Sequence, residues 1–235
     1  MPKYVKSRAR KEFDADVDRL IRAVRDAFSS KCKLPNVREH VLASVMLQGS
    51  AKMEFYLTSL ISDWVDRANA SALQTDDLPL SLRAYGFNEQ ALAGAYAQFL
   101  AFGSEVDLLE RLAGRLNNPS NYFAINGQHC PELQAEKLWK DRKYPSGKNL
   151  KILFNRFGIA KIFDELAKSA KSDLGLLLDS FNDVRAELAH EGIPPGLTPG
   201  DIRSKLRSAQ RFISHVDRVF FKNLELLGAA PLWTP

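Results

Sequence analysis

The sequence predicts an all-α protein, built as a bundle of helices. Apolar residues recur at spacings of three and four in almost every long segment, the pattern of a helix with one buried face. No stretch shows the apolar–polar alternation, punctuated by turn residues, that marks a strand. Two helix starts are written in capping residues, at Asn36 and at Thr198.

The first helix, over residues 9 to 30, carries Phe13, Val17, Leu20, Ile21, Val24 and Phe28 on one face, and Pro35 breaks the pattern after it. Asn36 followed by Glu39 reads as an N-cap with its capping-box partner, which places a long helix over residues 36 to 68. Its stripe is Leu42, Val45, Gly49, Met53, Tyr56, Leu60 and Trp64, and the gap at Gly49 lets a neighbouring helix approach closely. Glu54 falls off that stripe and is expected at solvent. Residues 70 to 87 read as a connection, and Asn88 to Leu116 as one or two helices with a break at Gly103-Ser104. Residues 117 to 133 are the clearest long loop. Helix resumes near Asn149, breaks at Gly158, and resumes through a segment whose apolar face is Leu174, Leu177, Phe181, Val184 and Leu188. Gly192 and Pro194-Pro195 end it, so His190 lies in its last turn. In the final helix Thr198 caps, Pro199 occupies the first turn where its missing N–H costs nothing, and Asp201 completes the cap, with an end near Leu227.

At 235 residues and 45% apolar content the chain suffices for one sizeable domain or two small ones. Cys32 and Cys130 are far apart and too few for a secreted disulfide framework, which points to a reducing cytoplasm. The basic N-terminus runs into charged residues rather than an apolar segment, and no run approaches bilayer length, so neither signal peptide nor membrane span is expected. The net charge of +5 is mild, but its distribution is uneven. In residues 137 to 161, Lys137, Lys140, Arg142, Lys143, Lys148, Lys151, Arg156 and Lys161 are opposed by Asp141 alone, with Trp139 and Tyr144 interleaved. Such a stretch suits a phosphate backbone with unstacked bases beside it; the plain alternative is a solvated loop and helix face. Lys140, Arg142, Lys143, Lys148 and Lys151 are the candidate RNA contacts.

Arg185 and His190 stand off the apolar stripe of their helix. Carbonyl dipoles at a helix C-terminus favour imidazolium, which suits His190 to proton donation near neutral pH. Five residues amount to about 140° around a helix, so the two do not pair within one chain. Two copies across a two-fold axis bring both pairs into one cleft. Metal-free RNA cleavage needs the 2′-OH deprotonated, the 5′-oxygen protonated and the phosphorane charge stabilised. Paired histidines can move those protons while paired arginines hold the phosphate bidentately. Glu187 and His190 also spell Glu-x-x-His, but a di-metal site needs a second such motif and the chain has none. His129 with Cys130, His40 and His215 lack partner patterns and read as structural. Neither metal nor cofactor is expected.

The run Arg185-Ala186-Glu187-Leu188-Ala189-His190-Glu191-Gly192, followed by a short Gly/Pro loop and one long final helix, resembles the HEPN superfamily. The resemblance is closest to the RiboL-PSP type and its prokaryotic conflict-system relatives. It covers residues 148 to 226, extends more weakly to 36 to 68, and leaves 70 to 147 as an insertion or elaboration. It implies a homodimeric, metal-independent endoribonuclease that leaves 2′,3′-cyclic phosphate and 5′-hydroxyl ends, with Arg185 and His190 catalytic. It also implies a toxin or host-defence setting, with an antitoxin or defence partner. The residue after the arginine, commonly polar in the family, is Ala186 here, leaving Asn182, Asp183 and Glu187 as candidates for its role. Members that bind RNA, nucleotide or protein without catalysis supply the alternative reading.

Overall fold

A computed structural model of the chain describes residues 3–30, 35–87, 97, 100–101, 103, 105–113, 119–190, 192, 196–226 and 230–235. These residues form an all-helical bundle, and their single β-bridge joins Gln74 to His129. Among them no helix is long and apolar enough to cross a membrane.

Helix α1 (Arg8–Ala27) begins where the Ser7 hydroxyl accepts from the Arg10 N–H, and its Phe13, Val17, Leu20 and Val24 are buried. Helix α2 (Pro35–Ala70) buries the whole predicted stripe, together with Met46, Leu57, Ile61 and Val65. Apolar residues on more than one face make α2 the central helix, in contact with α1 and with the last two long helices. The expected start is corrected: Pro35 opens the helix rather than breaking before it, and Asn36 lies in the first turn. A proline there loses no hydrogen bond and has the right φ already. A Cβ built on Gly49 would meet Leu206 Cδ2 at 2.9 Å and the Phe181 ring at 3.4 Å, so the expected close helix approach is present.

The connection expected over residues 70 to 87 contains a 3₁₀ turn (Thr75–Asp77) and a helix, α3 (Leu80–Phe87). Pro79 ends the extended approach, and its carbonyl accepts the N–H groups of Leu82 and Arg83 at 2.9 and 3.0 Å. Within the predicted Asn88–Leu116 segment, α4 (Glu105–Ala113) is present, whereas Ser104 and most of residues 88 to 104 lie outside the described residues. The long loop is tied down by the buried Arg83, whose Nε donates to the Phe123 carbonyl at 2.8 Å and whose Nη2 donates to Asn126 Oδ1 at 2.7 Å. Thr75 donates to the Ile125 carbonyl at 2.6 Å, and Asn69 exchanges two hydrogen bonds with the backbone of Leu133. Leu78, Leu82, Phe123, Leu133 and Leu138 join the same core as α2.

Helices α5 (Ala135–Trp139) and α6 (Gly147–Arg156) follow, the latter capped by Ser146 and ended before Gly158, whose φ is +83°. The segment expected to run unbroken to His190 is two helices, α7 (Ile162–Ala170) and α8 (Leu174–His190). Lys171 turns left-handed at φ +52°, and the Asp173 carboxylate accepts the N–H groups of Gly175 and Leu176 to start α8. Helix α9 (Pro199–Leu226) carries the predicted capping box: Asp201 N–H donates to Thr198 Oγ1 at 3.1 Å, and Thr198 N–H to Asp201 Oδ2 at 2.9 Å.

Asp217 of α9 has no exposed surface. It accepts from the Tyr4 hydroxyl at 2.7 Å, the Tyr56 hydroxyl at 3.0 Å, the Ser7 N–H at 3.2 Å and the Ser7 hydroxyl. Beside it the Trp233 indole donates to the Val5 carbonyl at 2.8 Å and the Arg8 N–H to the Thr234 carbonyl at 2.9 Å. The first helix, the central helix and the last helix are thus fastened at one point.

Candidate functional site

Helix α8 is held in the core by Leu174, Leu178, Phe181 and Leu188, with Leu177 and Val184 partly buried against it. This turns Asp183, Glu187 and His190 to the exposed side and leaves Asn182 and Arg185 half-buried at the edge of the packed face. Gly192 beyond it takes φ +88°, a conformation suited to a residue without Cβ. Glu191 and Pro194-Pro195 lie outside the described residues.

Arg185 is half-buried, and its guanidinium carbon stands 5.6 Å from the centre of the Tyr144 ring. The ring's electron-rich face attracts the cation and restricts its rotation. The Arg185 Nε is enclosed and has no acceptor, so its charge is not cancelled by a carboxylate at that atom. Asp183 and Glu187 are exposed, and neither forms an ion pair with Arg185 among the described residues. His190 is exposed at the helix end.

Tyr144 belongs to the basic stretch, 38 residues before Asn182. Its hydroxyl donates to Asn182 Oδ1 at 3.4 Å, while Asn182 Nδ2 donates to the Pro145 carbonyl at 2.9 Å. Asn149 Nδ2 donates to the Tyr144 carbonyl at 3.1 Å, and Ser146 caps α6 by accepting from the Asn149 N–H. These contacts clamp the loop before α6 onto α8 directly beside Arg185. Asn182 thus braces that loop.

The basic residues separate into two groups. Lys140, Lys143, Lys148 and Lys151 are exposed, Lys151 lying over the Phe163 ring at 5.7 Å. Arg142 is half-buried, with Nη1 donating to the Asp141 carbonyl at 3.0 Å. Arg156 turns inward, donates to the Leu138 carbonyl and stacks on Tyr85 at 4.1 Å; burial lowers its pKa. It therefore belongs to the fold. Asp141, the only acid in the stretch, serves a turn at φ +58°, a conformation aspartate tolerates better than most residues.

Among the described residues no three His, Cys, Asp or Glu side chains gather where they could hold a metal ion. His129 sits in the β-bridge to Gln74, and the Cys130 thiol is pushed up to about 11 by burial and the nearby Asp77 charge. His215 bonds the Ser169 hydroxyl at 2.9 Å, and His40 is exposed. The sequence singled out Arg185, Asn182 and Tyr144 separately, and the structure joins them. No local pattern announces that contact, because it depends on how two distant segments pack. Comparison with known protein families, curated proteins and solved structures returns no match.

Proposed function

We propose that the chain is a metal-independent endoribonuclease of HEPN type, acting as a homodimer and leaving 2′,3′-cyclic phosphate and 5′-hydroxyl ends. The observation that carries this reading is the clamp between the basic loop and α8, which sets exposed lysines and a ring-held arginine on neighbouring elements. Arg185 would hold the scissile phosphate, its guanidinium kept charged and ready for bidentate contact. His190 would exchange protons with the 2′-oxygen and the leaving 5′-oxygen, the partner copy supplying the second histidine. Lys140, Arg142, Lys143, Lys148 and Lys151 would follow the RNA backbone toward the cleft. DNA, lacking the 2′-OH, would not be cut.

The test is incubation of purified protein with single-stranded and structured RNA in excess EDTA, alongside folded His190→Ala and Arg185→Ala variants. Chelator-resistant cleavage with cyclic-phosphate ends, abolished in both variants, is the expected result. Cleavage undiminished in both would reduce the motif to an ordinary helix end. A second reading, an RNA-binding module without catalysis, draws on the exposed His190, whose ring has no described partner to orient it. It predicts RNA binding by a folded dimer that cuts nothing.

A further inference from the structure

Two hydrogen bonds tie the end of α7, and the turn after it, to α9. The Ser169 hydroxyl meets His215 Nδ1 at 2.9 Å, and Arg211 Nη2 donates to the Ser172 hydroxyl at 2.9 Å. We infer that this seam is an acid-sensitive latch: a proton taken up by His215 loosens the last turn of α7 and the turn into α8. Ile162 and Leu166, neither with any exposed surface, keep the rest of α7 in the core.

The latch follows from helical spacing. Arg211 stands four residues before His215 and Arg218 three residues after it, so both arginines share the imidazole's face of α9. Arg10 of α1 adds a third positive charge acting on the ring. The acids of the packed elements are engaged elsewhere. Glu165 of α7 pairs with Lys168 at 2.6 Å, Asp14 of α1 pairs with Arg10 at 2.8 Å, Asp173 starts α8, and Asp217 is taken by Tyr4, Ser7 and Tyr56. The hydrogen bond from Lys168 lowers the pKa of Glu165, which therefore stays ionised in mild acid, and burial foremost keeps the proton on Tyr4. His215 is left as the group of this seam that changes charge between pH 7.5 and pH 5. Burial first, then Arg218, Arg211 and Arg10, lower its pKa from the ordinary 6.5. The protonated ring still donates to the Ser169 hydroxyl, but its new charge lies one turn from an arginine on either side. As the pH falls through about 6.5 the unfolded chain binds this proton more readily than the folded one, so the stability of the seam falls with it.

Amide hydrogen exchange of the full chain at pH 7.5 and pH 5.0, expressed as protection factors so that the intrinsic pH dependence cancels, tests the latch. Protection of residues 168 to 173 should fall about two- to fivefold at pH 5.0, the cost of two like-charge pairs at helical spacing, while that of α6 stays level. His215→Asn, which keeps a polar partner for Ser169 and takes up no proton, should show no such fall. If that variant melts lower than wild type, NMR titration of the His215 ring in wild type decides, because the fall in protection should share the midpoint of the ring. A fall with a different midpoint, equal protection at both pH values, or an undiminished fall in His215→Asn would overturn the assignment.

Discussion

Tyr56 donates a hydrogen bond from its hydroxyl to Asp217 in a setting closed to water, with 1% of its surface exposed. Burial foremost, then the Asp217 charge, raises its pKa well above the ordinary 10.0. In the unfolded chain a tyrosine loses its proton near pH 10, while the folded chain keeps it. The folded state thus binds more protons above that pH, and stability must fall as pH rises past about 10. Urea denaturation of wild type and Tyr56→Phe at pH 8 and pH 11 should show the larger loss in wild type; equal losses would clear this hydroxyl. Asp217→Ala strands the donors of Tyr4, Ser7 and Tyr56 together and should destabilise by about 3 kcal/mol or more in the same assay. At the proposed site, Tyr144 restrains Arg185 through its ring face rather than its hydroxyl, whose bond to Asn182 is long at 3.4 Å. Tyr144→Leu should therefore slow RNA cleavage about three- to tenfold, the range of a cation–π interaction, and Tyr144→Phe should retain most of the rate. A leucine variant as fast as wild type would remove Tyr144 from the mechanism.

Gly49 is where three helices come within reach of one another, α2 receiving Leu206 of α9 and Phe181 of α8 against its backbone. Gly49→Val sets two methyl groups against fully buried side chains, and thermal or urea denaturation should report a loss of about 2 kcal/mol. An unchanged midpoint would mean that the helices can part without cost. This close approach was legible in advance because glycine interrupted an otherwise large stripe. So were α1 and α9, whose long amphipathic runs outweigh any local ambiguity, the buried stripe of α2 though not its start at Pro35, and the reciprocal cap of Thr198 with Asp201. Helix α3 was hidden because its eight residues give too few turns for a period, and its stability comes from Leu82 and Arg83 packing under the long loop. The break between α7 and α8 had a sign, Ser172-Asp173 ahead of a leucine run, but a capping aspartate competes there with continuous apolar spacing. Of the candidate site, spacing set His190 at solvent, where it is, but set Arg185 off the apolar stripe, whereas it lies half-buried at the edge of that face because the Tyr144 loop packs over it, a contact no local pattern announces.

Over the whole molecule, charge is divided between structural and solvent roles. Arg83 and Arg156 are consumed by backbone carbonyls, whereas Lys140 and Lys143 remain at solvent beside the α8 clamp. Reversing both to glutamate should weaken RNA binding and flatten the dependence of log affinity on log salt, by about 0.7 for each single-strand phosphate that the protein no longer neutralises. Unchanged affinity and slope would move the RNA path elsewhere. The Asp217 fastening carries a different consequence, one of time. Tyr4 emerges from the ribosome 213 residues ahead of its acceptor. At ordinary synthesis rates that is a wait of roughly 10 to 40 seconds. A nascent chain that has not reached Asp217 lacks the acceptor for both tyrosines and Ser7, so the point that fastens the first, central and last helices is completed only late in synthesis.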